Sequence, residues 1–125
     1  MTQGRQRLEL CRETLVAIRR QQADITALTA LSPRTAEEEL AIADQLRRSR
    51  ALLAEIRRLW PVRLAMTMQV LDGVQGMEYK CLWCYDVLGL SNREVSQRLQ
   101  YDYREVVRRK MEGLEKLEER TEKTC

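Results

Sequence analysis

The sequence predicts an all-α protein: an N-terminal antiparallel helical hairpin followed by a small helical domain. Composition is the first reason. The chain has 125 residues and 14.7 kDa, is 44% hydrophobic, and contains no Phe, five Gly and two Pro. That balance suits helices and lacks the turn residues that an all-β chain needs. The second reason is periodicity, since apolar residues recur three or four positions apart over two long stretches. The third is a pair of helix-start signals, Thr35 with Glu38 and Ser91 with Glu94, in which a hydroxyl and a carboxylate each satisfy an orphan amide at a helix N-terminus. The length fits one compact domain, or a small domain with a helical appendage.

The first helix is expected over residues 5–30, with Leu8, Cys11, Leu15, Ile18, Ile25 and Leu28 along one stripe and Gln22 interrupting it. Pro33 ends that pattern, and residues 31–35 read as a short connector. Glu37, Glu38 and Glu39 suit the positive end of the next helix. The second helix is expected to run to Trp60, with Ile42, Leu46, Leu53, Ile56 and Trp60 inward, Ser49 as a small polar break, and Arg47, Arg48, Arg50, Arg57 and Arg58 outward. Two helices of this length on so short a connector form an antiparallel hairpin. One seam buries little, so the hairpin is expected to pack on the rest of the chain or on a second copy, which makes a homodimer a candidate.

Pro61 can start a new helix, because a first-turn position has no amide partner to lose. The domain division is therefore expected at 60/61, with a hairpin over 1–60 and a helical domain over 61–125. Within the latter, residues 62–74 form a third helix with Leu64, Met68 and Leu71 on one face. Gly73 and Gly76 bracket a break, and residues 77–88 form a fourth helix ended by Gly89 in the left-handed conformation.

The segment GLSNREVSQRLQYDYREVVRRKMEGLEKL, residues 89–117, is the most informative part of the chain. Ser91 and Glu94 cap a short helix with Val95 and Leu99 at helical spacing, and Asp102 can cap the next one. Helices on so short a connector cross steeply, which is how DNA-binding helix-turn-helix units hold one helix in the major groove. At 100° per residue, Tyr103, Val106, Val107, Met111, Leu114 and Leu117 fall within about 80° of one direction, while Arg104, Glu105, Arg108, Arg109, Glu112 and Glu115 face away. An outward guanidinium can grip phosphate or guanine, and Glu105 can accept from cytosine. Lys110 lies inside the apolar arc and is expected to snorkel or to meet a partner. Gly113 interrupts the helix at a cost in propensity, which points to close packing there.

Charge supports the same segment. The whole chain carries only +3, but residues 91–110 hold six basic residues against three acidic, while residues 111–125 hold three against five. The cysteines Cys11, Cys81, Cys84 and Cys125 read as reduced structural thiols. The Cys81–Cys84 spacing resembles a zinc half-site, but there is no His and no second pair. An enzyme is not expected, since no phosphate loop and no acid–base carboxylate pair occur. No cofactor, metal, membrane partner or small-molecule substrate is expected either. No apolar run approaches a membrane span and no signal-peptide pattern occurs, so the cytoplasm is the expected location.

GLSNREVSQRL followed by YDYREVVRRKMEGLEKL resembles the helix-turn-helix of region 4 of bacterial sigma factors, and its opening is shared with LuxR-type output domains. It is closer to small phage and prophage late transcription regulators of the ArpU/RinA type, many of which place a helical hairpin before a sigma-region-4-like C-terminus. The motif covers about 30 residues, and the hairpin agrees in layout only. The resemblance implies DNA reading by Tyr103, Arg104, Val107 and Arg108, from which periodicity removes Val107. The expected DNA-facing set is Tyr103, Arg104, Glu105, Arg108 and Arg109, with Ser91 and Arg93 on the preceding helix. Two departures stand out: Gln100 occupies the turn position usually filled by Gly, and Asn92 replaces a common aromatic. Two functions follow. One is a sequence-specific regulator of duplex DNA, with RNA polymerase as a further candidate partner. The other is a sigma-like module that binds polymerase or another transcription protein without reading DNA.

Overall fold

The computed structural model describes residues 3–124, and side chains through Glu118. It is all-helical, with no strand among the described residues. Helix α1 spans Gln3–Thr29, α2 Ala36–Leu71, α3 Gly76–Leu82, α4 Asn92–Leu99 and α5 Tyr103–Thr124; α3 continues into a π-helical turn, Trp83–Val87.

Helices α1 and α2 pack against each other. Thr35 caps α2 by accepting from the Glu38 amide at 3.1 Å, and three acidic residues fill the first turn. Leu8, Cys11 and Ile18 of α1 are buried, as are Ser49 and Leu53 of α2, while Arg47, Arg48, Arg50, Arg57 and Arg58 of α2 stand in solvent. Polar ties cross the seam: Arg63 Nη1 donates to Thr14 Oγ1 at 2.6 Å, and Thr67 Oγ1 to the Arg7 carbonyl at 3.2 Å.

The helix break expected at Pro61 is not there. Pro61 is interior to α2, which at 36 residues is about 54 Å long. The ring costs α2 the hydrogen bond that the Arg57 carbonyl would accept, and Pro61 is exposed, so solvent can reach that carbonyl. Arg63, Thr67 and Leu71 beyond it pack inward, and that packing outweighs the local breaker. The expected third helix is therefore the C-terminal part of α2. Its Met68 is exposed, while Leu71 is fully buried in a core with Leu8, Val74, Leu82, Val87 and Leu117. Helix α2 thus crosses the 60/61 boundary into the core of the C-terminal half.

A second core under α4 and α5 joins Cys81, Cys84, Val95 and Val106. Between the two, α3 and α5 approach closely at Gly113. A Cβ there would lie 2.8 Å from Leu82 Cδ1 and 3.1 Å from Glu78 Cβ, which explains the helical glycine. The π-helical turn ends at Val87; two residues on, Gly89 has a φ of +71°, the expected left-handed stop, and the Leu90 amide bonds back to the Cys84 carbonyl at 3.1 Å.

Candidate nucleic-acid interface

Helix α4 starts with a complete capping box. The Glu94 amide donates to Ser91 Oγ and the Ser91 amide to Glu94 Oε1, each at 3.1 Å. These bonds hold the Glu94 carboxyl below the usual carboxylate range. The helix ends at Gln100, in the left-handed region at φ 59° and ψ 42°, where a non-glycine residue carries strain. The Tyr101 amide closes the turn on the Ser96 carbonyl at 3.1 Å, and Ser96 Oγ donates to the Tyr101 carbonyl. Asp102 opens α5, its carbonyl accepting from the Val106 amide at 3.1 Å.

The expected DNA-facing residues separate into two groups. Ser91, Arg93 and Tyr103 line one shallow depression of about 490 Å³, together with Arg12, Tyr85 and Asn92. Arg93 and Arg104 are exposed and form no ion pair or hydrogen bond among the described residues. The other group is paired with carboxylates. Arg108 Nη2 donates to both Glu105 oxygens at 2.6 and 2.7 Å, and Arg109 Nε donates to Glu105 Oε1 at 2.8 Å. Hydrogen bonds from Arg108 and then Arg109 hold the Glu105 carboxyl low.

Three expectations for α5 need correction. Tyr103 and Met111 do not pack; they are 48% and 46% exposed. The buried stripe is Val106, Gly113 and Leu117, with Val107 and Leu114 half-buried. The buried positions lie at one edge of the apolar arc, Met111 lies at the other, and Tyr103 sits at the exposed start of the helix. Arg109 does not face outward either, because it is half-buried with Nη1 4.0 Å from Glu78 of α3 and 3.7 Å from Glu112. Glu78 is the reason: it is buried, needs cations, and takes Lys116 as well at 2.8 Å.

Lys110 meets partners, one of the two outcomes expected. Its Nζ lies 3.1 Å from the Tyr85 ring centroid and donates to Asn92 Oδ1 at 2.6 Å, tying α5 to the start of α4. Burial pulls its ammonium down to about 8, partly opposed by Asp86.

Sequence reasoning missed the contribution of α1. Arg5, Arg12 and Arg19 are seven residues apart and all reach the C-terminal half. Arg5 pairs with Glu118 at 3.6 Å. Arg12 Nη1 donates to the carbonyls of Tyr85 and Leu90 at 2.5 and 2.9 Å, with its guanidinium 3.8 Å from the Tyr85 centroid. Arg19 Nη2 donates to the Leu88 carbonyl at 2.7 Å. Arg12 and Arg19 satisfy carbonyls left open where the π-helical turn ends. The seven-residue spacing was the available signal.

Cys11, Cys81 and Cys84 are buried free thiols, and burial raises each of them, which makes them poor nucleophiles. Cys125 lies outside the described residues. No group of three or more His, Cys, Asp or Glu side chains among the described residues could hold a metal ion, and no helix there is long and apolar enough to cross a membrane. No protein-family model, curated protein or solved structure matches the chain.

Proposed function

We propose that this chain is a sequence-specific double-stranded DNA-binding transcription regulator of phage or prophage type, with a sigma-region-4-like helix-turn-helix. The carrying observation is the α4–turn–α5 unit: a capping box at Ser91, a left-handed turn at Gln100, and a second helix starting after Asp102 with Tyr103 and Arg104 exposed. The α5 N-terminus then enters the major groove. Arg104 reads a base edge or grips a phosphate, and Tyr103 packs along the sugar or a thymine methyl. Arg93 and the amides near Ser91 contact the flanking phosphates.

Arg108 and Arg109 play a lesser part than their sequence positions suggest. Their charges are committed to Glu105 and Glu112, so engaging DNA means breaking those pairs. The same observation favours the second reading, a module that docks on RNA polymerase or another transcription protein without reading DNA. Selection from a random duplex pool distinguishes the two. Enrichment of a defined sequence supports DNA reading, and a palindrome in it indicates two copies on one site. Recovery of unenriched sequence favours the docking module.

A further inference from the structure

A cleft of about 420 Å³ opens between α1 and α5, away from the α4–α5 turn. Its wall is mostly apolar, formed by Leu8, Leu82, Val107, Met111 and Leu114. Asp86 of the π-helical turn also lines it. That residue is only 5% exposed, yet its carboxylate has no hydrogen bond and no ion pair within 4 Å among the described residues. Among the described residues no buried side-chain oxygen is both sealed and unsatisfied, so the Asp86 oxygens are reached from the cleft.

Arg5, Arg12 and Lys110 also line the cleft, but their donors are engaged by other groups. Arg12 is bound to the Tyr85 and Leu90 carbonyls, and Lys110 to Asn92 and the Tyr85 ring. Arg5 is paired with Glu9 and Glu118 at the rim. Glu13, also lining the cleft, has no partner among the described residues. The cleft therefore pairs apolar surface with carboxylates that lack donors. An ionised carboxylate in such surroundings is costly until donors reach it, and the volume is in the range of small-molecule sites.

We infer that the α1–α5 cleft is a binding site for a small organic ammonium ion, its head on Asp86 and its apolar body against Leu8, Leu82, Val107 and Leu114. The ammonium supplies the three donors that Asp86 lacks, and Glu13 at the mouth attracts the same charge. This site goes beyond DNA reading and does not depend on it. Since Val107 and Met111 belong to α5, an occupant touches the helix whose first turn carries Arg104.

The test titrates the whole chain with benzylamine and n-hexylamine, each against the alcohol of the same skeleton, by calorimetry and amide chemical shifts. The amines are expected to bind in the range of about 0.1–1 mM, as ligands of this size do, and at least about tenfold tighter than the alcohols. Shifts should centre on Leu8, Asp86, Val107 and Leu114. In Asp86→Asn, close in shape, the preference for amine over alcohol should vanish. Equal binding of amine and alcohol to the wild type, shifts elsewhere on the surface, or an undiminished preference in a folded Asp86→Asn would each overturn the proposal. So would the absence of wild-type binding at about 10 mM amine, a reading that needs no variant to fold.

Discussion

Arg12 Nη1 donates to the main-chain carbonyl of Leu90 at 2.9 Å, joining the first helix to the residue just before the α4 cap across 78 positions of sequence. The same nitrogen reaches the Tyr85 carbonyl, so one side chain fixes both sides of the stop at Gly89. Arg12→Ala strips charge-assisted donors from two carbonyls and should cost about 2–3 kcal/mol in urea unfolding. Arg12→Lys recovers only part, since an ammonium lacks the planar fork. A loss below about 0.5 kcal/mol would show that solvent serves those carbonyls equally well.

Gly113 is set by contact with α3. Alanine there would gain about 1 kcal/mol of helix propensity, but its Cβ would meet Leu82 Cδ1 at 2.8 Å. Overpacking should outweigh the gain, leaving Gly113→Ala destabilised by about 1 kcal/mol and Gly113→Val by about 2–3 kcal/mol. Thermal melting of the two variants checks the order, and a stabilised Gly113→Ala would mean that α3 and α5 stand further apart.

Gln100 holds a left-handed conformation that costs a side-chain-bearing residue about 1–2 kcal/mol. Gln100→Gly relieves it and returns about 0.5–1 kcal/mol as chain entropy, a net gain of about 0.5 kcal/mol. Gln100→Val should lose more than about 1 kcal/mol, because β-branched residues tolerate positive φ least. If both variants melt alike, the turn is not left-handed.

Asp86 and Lys110 give opposite pH signatures. Burial pushes the Asp86 carboxyl from its ordinary 3.8 up to about 7, against the pull of Lys110 and Arg12 and with a small push from Glu9. The folded chain keeps a proton that the unfolded chain has released, so this group lowers stability as pH rises from about 4 to about 7. Lys110 falls from 10.5 to about 8, again by burial first, with Arg12 lowering it and Asp86 and Cys81 opposing. Between about 8 and 10.5 the unfolded chain holds the extra proton, and stability rises with pH. Asp86→Asn should therefore gain about 1–3 kcal/mol on the wild type between pH 4 and 7 and no more above it. Urea midpoints across pH 4–10 measure the difference, and a flat difference contradicts the assignment.

Much of the fold was legible in the sequence because it rests on local rules. The stripe on α1, the Thr35 and Ser91 caps, the Gly89 stop and the tight packing at Gly113 all follow from spacing and backbone chemistry. What failed was tertiary. Pro61 is a breaker by local rule, but inward contacts of Arg63, Thr67 and Leu71 carry α2 through it. Tyr103 and Met111 share the apolar arc of α5 on a helical wheel, yet a wheel cannot say how wide the opposing surface is. Arg109 turned inward because Glu78, far off in sequence, was buried opposite it. Arg108 and Arg109 were thus readable as charges on α5, but not as charges already spent on Glu105 and Glu112.

Duplex binding as a function of salt, by anisotropy of a labelled duplex from the selected pool, measures the DNA reading most directly. Two or three phosphate contacts predict a fall in log affinity against log salt with a slope of about −2 to −3. Arg104→Ala should cost about 1–3 kcal/mol with relaxed sequence preference, or reduce the slope by about 1 if its contact is a phosphate. No duplex binding by micromolar wild-type protein at low salt would contradict DNA reading, and an Arg104→Ala variant with full affinity, slope and preference would contradict the assigned face.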